Sequence, residues 1–467
     1  MLTLGIDLGT SFVKVCIYDA EKSTVITSIQ YPNKEMQIIS KKQGLAEQSP
    51  ELWWESSVCA IKKAHRSKLY HPQDIQAIGI AYQMLGLEIV NKKQKVLRNS
   101  IIWCDSRASS YGTKAFDAIG SEYCTHSLLN SPGNFISMRL TGLASTTVSV
   151  LSEAVIYDFK KNKISSELLH YFDFDESLFP VIKEVFSNHG NLDDTIAESL
   201  HLQPGIPVTY MAGDQLNNAL ALDVFEQGGV AATGGTSGVI YGISNTPTVD
   251  KSTRFNSFAH VNHSEKDPHY GVLLCIKGAG IINKWIRDIN RGSNSYEERY
   301  REIEDISPGS EGLRFFTVGN RAERMCKNKT PLGGNQNPGY SRQTEAHIYR
   351  VGQEAIAYLF RYGLDILREN GIYPSIVKAG NSNFFLSDVF TGTLASATST
   401  TLEIFEPEGS RGAVIGAAIG AGVYENEKEV FSKSKPLKTI YSLHSKQMAE
   451  LYNDWKYDLE NLFFKVK

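Results

Sequence analysis

Two carboxylates and two small hydroxyl-rich turns are the groups of this 467-residue chain best suited to chemistry. Asp7 is the first acid. Gly9, Thr10 and Ser11 follow it at once, and Lys14 stands just beyond. The frame Gly-Thr-Ser-x-Val returns at Gly235, Thr236 and Ser237. A tight turn of this composition exposes backbone N–H groups and hydroxyls, the donors that a phosphate chain needs. One such turn is equally an ordinary hairpin bend; two in matching settings point to a polyphosphate held by both. Lys14 is either an exposed strand residue or a cation that reaches the phosphates. A carboxylate beside phosphates calls for a cation, and Mg²⁺ takes few protein ligands alongside water and phosphate oxygens. Asp7 is therefore a candidate metal carboxylate, with an Asx-type turn as the alternative. Asp214 ends the apolar run that begins at Pro207 and precedes a helical pattern. There it is either a helix N-cap or a general base that takes the proton of an alcohol attacking a phosphate.

The elements that must position these groups are legible as apolar runs and punctuation. Residues 2–7 read as a buried strand, Phe12 to Tyr18 as a second and Val25 to Gln30 as a third, with Leu8 to Ser11 as the first hairpin. Ser49 and Pro50 open a helix that runs to about Arg66. Ile75 to Ala81 and Leu85 to Val90 read as strands, with Asn91 to Lys95 as a polar turn. Later, Val230 to Gly235, Gly238 to Ile243 and Gly271 to Ile276 repeat the three-strand opening. A helix follows with Ile281, Ile282, Trp285 and Ile286 on one face. A long helix from about Glu345 to Arg368, a strand at Ile376 to Lys378, a strand at Leu402 to Ile404 and a small-residue helix from Ala413 to Gly422 complete the pattern. The repetition predicts two domains of one α/β fold, residues 1–222 and 223–467, facing each other across a cleft.

Bulk properties narrow the function classes. The net charge is −3, with 42% hydrophobic and 21% charged residues, an ordinary globular balance without the basic excess of a nucleic-acid binder. No P-loop and no dinucleotide-binding glycine fingerprint is present, so a nucleotide would have to be cradled by the hairpins. No apolar run is long enough to span a membrane, and the N-terminus lacks the pattern of a secretory signal. Six scattered cysteines without zinc-ligand spacing fit buried thiols in a reducing, cytoplasmic setting.

The stretches GIDLGTSFVK, YQMLG, IIWCDSRA, AGDQLNNAL, GGTSGV and the late GAAIGAG occur in this order across most of the chain. Together they resemble the FGGY carbohydrate kinases, xylulose kinases most of all. The resemblance implies two RNase-H-like domains of the actin and hexokinase type around a central cleft. It also implies transfer of a phosphoryl group from MgATP to a small sugar, with ATP and Mg²⁺ as cofactors and a homodimer as a common assembly. By motif, Asp214 resembles the catalytic base and Asp7 the carboxylate near the metal. Gly9, Thr10, Ser11 and Lys14 resemble the first phosphate loop, and Gly235, Thr236 and Ser237 the second. Gln83, Met84, Leu85, Trp103, Asp105 and Gln215 match the sugar side. Gly380, Asn381 and Asn383 match the adenosine turn, and Gly416 the helix that packs under the nucleotide.

Departures from the family pattern fall on the sugar pocket, where Met84-Leu85-Gly86 replaces Met-His-Gly and Gln215 replaces Asn. The adenosine turn has fewer glycines than is usual. Phe135 also passes directly into Ile136 where relatives carry a further helix, which predicts either a deletion or an omitted stretch. Glycerol kinases carry an Arg-Glu pair beside the glutamine that is Gln83 here, and this chain has Met84 and Leu85. An actin-like ATPase or a catalytically silent sugar-binding relative would share the fold, but the YQMLG and WCDSR stretches favour a sugar kinase.

Overall fold

A computed structural model of the chain describes residues 1–91, 93–108, 131–235, 237–289, 295–317, 324–327, 334–336, 343–406, 409–424, 427–432, 434–443 and 445–464. The chain divides into two compact units. The first comprises Met1–Asp223, Phe258–His269 and Glu408–Ser434, and the second Val224–Ser257, Tyr270–Pro407 and Lys435–Lys467. A single boundary after residue 222 therefore does not describe the division, because two late segments join the first unit.

The first unit is built on a six-stranded sheet. Its strands are β1 (Leu2–Leu8), β2 (Val13–Asp19), β3 (Thr24–Tyr31), β4 (Ile75–Tyr82), β5 (Gly190–Asn191) and β6 (Pro207–Gly213), in the spatial order β5-β6-β4-β1-β2-β3. β1, β2 and β3 pair antiparallel, whereas β1 with β4 and β4 with β6 run parallel. The central strand β1 is almost wholly buried, which explains why its sequence is a continuous apolar run interrupted only by Asp7.

Helix α1 (Pro50–His65) starts at the expected Ser49-Pro50 step, although the Ser49 side chain makes no capping hydrogen bond. Helix α2 (Pro132–Thr141) begins at Ser131, whose hydroxyl accepts from the Asn134 N–H, and stops at Gly142 in the left-handed region. It runs unbroken through Phe135 and Ile136, so no gap or exposed apolar seam exists at that junction; nearly every residue of α2 is buried. Helix α3 (Val148–Glu153) and helix α4 (Asp214–Ala221) follow, α4 directly after β6. The stretch Leu85 to Val90 is not a strand. Leu87 and Val90 make only isolated bridges, to Ile101 and Val96, within a loop that closes on itself.

The second unit repeats the plan. Its strands β7 (Val230–Gly234), β8 (Gly238–Ser244), β9 (Tyr270–Ile276), β10 (Ile376–Gly380), β11 (Thr401–Phe405) and β12 (Lys438–Ile440) stand in the order β9-β8-β7-β10-β11-β12 within a seven-stranded sheet. Antiparallel pairing at β9-β8-β7, parallel pairing at β7-β10-β11 and a final antiparallel strand reproduce the first sheet strand for strand. Helix α5 (Ala279–Ile289) presents Ile286 to the core but leaves Ile281 and Trp285 largely exposed, so the expected four-residue apolar face is not one buried face. Trp285 stacks on Phe315 instead, with ring centroids 6.4 Å apart. Helix α6 (Glu345–Glu369) is the main core helix, and α7 (Asp388–Thr398) packs beside it. Helix α8 (Gly409–Gly420) returns to the first unit and lies on β1, β4 and β6. Buried hydroxyls tie it down: Thr3 Oγ1 donates to the Val414 carbonyl at 3.0 Å, and Thr209 Oγ1 to the Ala417 carbonyl at 2.8 Å. Gly416 of α8 faces the Tyr210 ring of this sheet.

Cys16 and Cys326 are buried, and Cys59, Cys104 and Cys275 partly so; Cys124 lies outside the described residues. Among the described residues no helix is long and apolar enough to cross a membrane.

Candidate active site

The ends of β1, β4 and β6 gather the candidate groups of the first unit. Asp7 is the penultimate residue of β1 and stands opposite Lys14 of β2. Between these strands the hairpin is closed by the Gly9 N–H donating to the Phe12 carbonyl at 3.0 Å, and the Ser11 carbonyl accepts from the Met36 N–H at 2.8 Å. Thr10 is tied to the neighbouring elements. Its hydroxyl donates to Gln83 Oε1 at 2.7 Å and accepts from Trp103 Nε1 at 2.9 Å. Its carbonyl accepts from Gln48 Nε2 at 2.7 Å, and Gln48 Oε1 accepts in turn from Gln83 Nε2 and Trp53 Nε1, both at 3.1 Å. The glycine turn, the β4 exit and α1 are thus one hydrogen-bonded frame.

Asp214 is the first residue of α4. Gly213 occupies the N-cap position, and no side chain caps the helix, so Asp214 is not the N-cap that its sequence context allowed. The residue as a whole keeps some accessible surface, while its carboxyl is enclosed by protein. Burial is the largest effect on it and the charge of Asp7 adds to it, so that its titration is raised to about 7; hydrogen bonds from Gln215 and from the Met84 backbone oppose the rise. Burial likewise raises Asp7, and Lys14 opposes that shift. Beside Asp7, a β-carbon built on Gly409 of α8 would stand 2.5 Å from Oδ2, so only glycine leaves this carboxylate its place.

The sugar-side candidates divide by what they touch. Gln83 and Met84 are buried, while Leu85 is 37% exposed and left-handed, with φ of 60°. Trp103 is 45% exposed and is held by its bond to Thr10. The Asp105 carboxylate is spent on its own loop. It accepts from the Ala46 N–H at 2.6 Å, from the Arg107 N–H at 2.8 Å and from both sides of the Arg107 guanidinium. These bonds brace the loop that carries Trp103.

In the second unit, the Gly235 N–H donates to the Ser237 carbonyl at 2.9 Å and closes the second hairpin, while Thr236 lies outside the described residues. Gly380 ends β10, the Asn381 N–H donates to the Phe405 carbonyl at 2.8 Å, and Asn383 is left-handed with φ of 53°. Asparagine is among the few non-glycine residues that adopt this conformation readily. Here its side-chain amide also donates to the Gly234 carbonyl and joins the turn to the hairpin, a bond that glycine cannot make. Phe384 and Phe385 anchor the turn in the core beside Phe360 and Phe390.

Residue types alone did not mark Glu153. It is 3% exposed at the end of α3, and Tyr82 donates its hydroxyl to Oε1 at 3.1 Å. The signal was present: Glu153 is the only charged residue between Arg139 and Asp158.

The family model that matches is the N-terminal domain of the FGGY family of carbohydrate kinases, over residues 2–118 and 125–221. Those residues, just under half of the chain, carry the N-terminal domain of that family. The chain is 23% identical to xylulose kinase of Bacillus subtilis, over 91% of this chain and 89% of that one. Its fold matches the solved xylulose kinase of Lactobacillus acidophilus with a TM-score of 0.86 at 18% identity, covering 100% of each chain. It matches Plasmodium falciparum glycerol kinase solved with ADP equally well, with a TM-score of 0.87 at 18% identity over 100% of this chain and 99% of that one. The chain is thus a carbohydrate kinase with the two-domain actin and hexokinase type of fold, and likeness to these kinases implies ATP as phosphoryl donor.

Proposed function

We propose that this FGGY kinase transfers the γ-phosphoryl group of ATP to a terminal hydroxyl of a ketopentose, D-xylulose first, with Asp214 as the general base. The observation that carries this reading is an acid at the first position of α4, enclosed yet accessible, whose titration is raised to about 7. Such a base is half charged near neutrality, where it is able to accept a proton and to release it again. In the step proposed, the sugar oxygen bonds to the γ-phosphorus, the bond from that phosphorus to the ADP oxygen breaks, and the hydroxyl proton passes to Asp214.

The residues present fit a divalent cation. Asp7 and Asp214 are two enclosed acids close enough for one charge to raise the other, with Lys14 as the cation that opposes the rise at Asp7. Among the described residues no cluster of three or more His, Cys, Asp and Glu would hold a metal unaided. Mg²⁺ suits one carboxylate supplemented by waters and phosphate oxygens, so Asp7 would hold it, and when bound it neutralises phosphate charge. Gly9, Thr10, Ser11 and Lys14 receive phosphate oxygens. Gln83, Met84, Leu85, Trp103 and Gln215 face the sugar, and Asp105 holds the Trp103 loop. In the second unit, Gly235, Ser237, Gly380, Asn381 and Asn383 are assigned to the nucleotide, together with Thr236 by sequence.

A coupled assay over ketoses and polyols, glycerol included, tests the sugar; faster turnover of glycerol than of any pentulose overturns the xylulose assignment. Asp214→Asn tests the base. Turnover is expected to fall roughly a thousandfold or more while ATP still binds. Phosphorylation at near the parent rate removes Asp214 from this role.

A further inference from the structure

Resting on the kinase reading, we infer that Glu153 is a positioning residue: its buried carboxyl fixes the loop leaving β4 against the junction of β6 and α4, and so sets the stance of Asp214 and of the sugar-side residues Met84 and Leu85. Three observations place it there. Tyr82, the last residue of β4, donates its hydroxyl to Glu153 Oε1 at 3.1 Å. A β-carbon built on Gly213, the residue before Asp214, would stand 2.7 Å from the same oxygen and 2.5 Å from Met84 Cγ, so the acid, the loop and the junction meet at one point. Glu153 Oε2 is buried and has no hydrogen-bond partner among the described residues.

The consecutive backbone amides of Met84 and Leu85 favour the charged forms of Asp214 and Glu153 respectively and so oppose the rise in both titrations. The elements packed against Glu153 bring Tyr82, Tyr210, Asp214, Tyr157 and Asp158 as titratable groups. Tyr82 and Asp214 act on it directly, while Asp158 is paired with Lys161 at 3.7 Å. Burial, reinforced by the charge on Asp214, raises Glu153 to about 8, so at neutral pH it holds its proton while Asp214 ionises first. An uncharged acid is what this place tolerates; a second negative charge would sit beside the base and strain the loop.

The test compares the parent with Glu153→Ala, Glu153→Gln and Tyr82→Phe across about pH 6 to 9, the range that spans both titrations. Alanine is expected to raise the sugar KM and lower kcat, each by roughly tenfold, with the KM for ATP unchanged. Merely losing folded enzyme lowers kcat at constant KM, so the split separates positioning from stability. Glutamine keeps an acceptor for Tyr82 without a titrating proton. It is expected to restore most of what alanine loses and to lack the decline in rate that is expected of the parent above about pH 8. Tyr82→Phe, which keeps the packing, is expected to move the sugar KM in the same direction as alanine. Parent-like sugar KM and kcat in Glu153→Ala overturn the inference, as does a loss in Glu153→Gln equal to that in alanine.

Should the parent phosphorylate no sugar, the kinase reading fails, and Glu153 is then judged by carboxyl ¹³C NMR of Asp214. Glu153→Ala is expected to lower the Asp214 titration as water enters, and Glu153→Gln to leave it in place. An Asp214 titration unmoved by alanine overturns the positioning role on its own.

Discussion

Thr10 uses its hydroxyl twice, donating to Gln83 and accepting from Trp103, and its carbonyl a third time, toward Gln48. Removing such a hydroxyl from a partly buried network leaves both partners short of a bond, at a cost of about 1–2 kcal/mol. Thr10→Val is therefore expected to lower the unfolding free energy by that amount, read as a lower urea midpoint, and to raise the sugar KM, since Trp103 loses its tether; an unchanged KM would mean that Trp103 does not face the sugar. At this scale the sequence revealed what backbone geometry demands. Asp7, the Gly-Thr-Ser bends and Asp214 stand at strand ends and turns, where glycine and a lone acid are conspicuous. Glu153 stands out in the sequence as a lone charge, but its role was not legible because its hydrogen-bond donor, Tyr82, lies 71 residues away. Asp105 matched a motif, yet its bonds go to Ala46 and Arg107, and only the folded loop discloses that it is a brace.

Helix α2 shows what governs an element. It is ten residues long and almost entirely buried, with the Ser131 cap at one end and Gly142 at the other. A helix this short gains little from its own backbone and depends on packing and caps. Ser131→Ala is expected to cost about 1 kcal/mol, read as a lower thermal midpoint with kcat per folded enzyme unchanged. At Phe135 and Ile136, where the resemblance implied a deleted or omitted helix, the chain's own residues form one continuous, capped and buried helix. Leu85 to Val90 is misread as a strand because Gly86 and a left-handed Leu85 interrupt the pleat, and an apolar run alone does not reveal that. On α5, helical spacing aligned Ile281 with Trp285, but the core takes Ile286 and Asn283, while Trp285 rests on Phe315, a partner outside the helix.

Over the whole molecule the two sheets share one pattern of strand order and direction, and the repeated Gly-Thr-Ser-x-Val frame was its trace in the sequence. Stability also responds to pH at this scale. Glu88 is buried beside Ser100, whose hydroxyl donates to Oε1 at 2.7 Å, and burial raises its titration to about 8 from an ordinary 4.5. Between those values the folded chain holds a proton that the unfolded chain has released, so stability falls as pH rises through this window; Glu153 and Asp214 act in the same sense. Glu88→Gln cannot ionise. Its unfolding free energy, read from denaturation, is expected to match the parent near the acid end and to exceed it increasingly toward about pH 8, by up to a few kcal/mol; a difference independent of pH would show that Glu88 is charged throughout.

Finally, α8 covers strands that begin at Leu2 although it starts only at Gly409. A ribosome that has released the first 223 residues therefore displays a sheet with one apolar side still bare, and this layer closes only after residues 409–420 have emerged. Residues 1–223 made alone are expected to bind apolar dyes or aggregate, and co-expression of a fragment carrying 408–434 to relieve this.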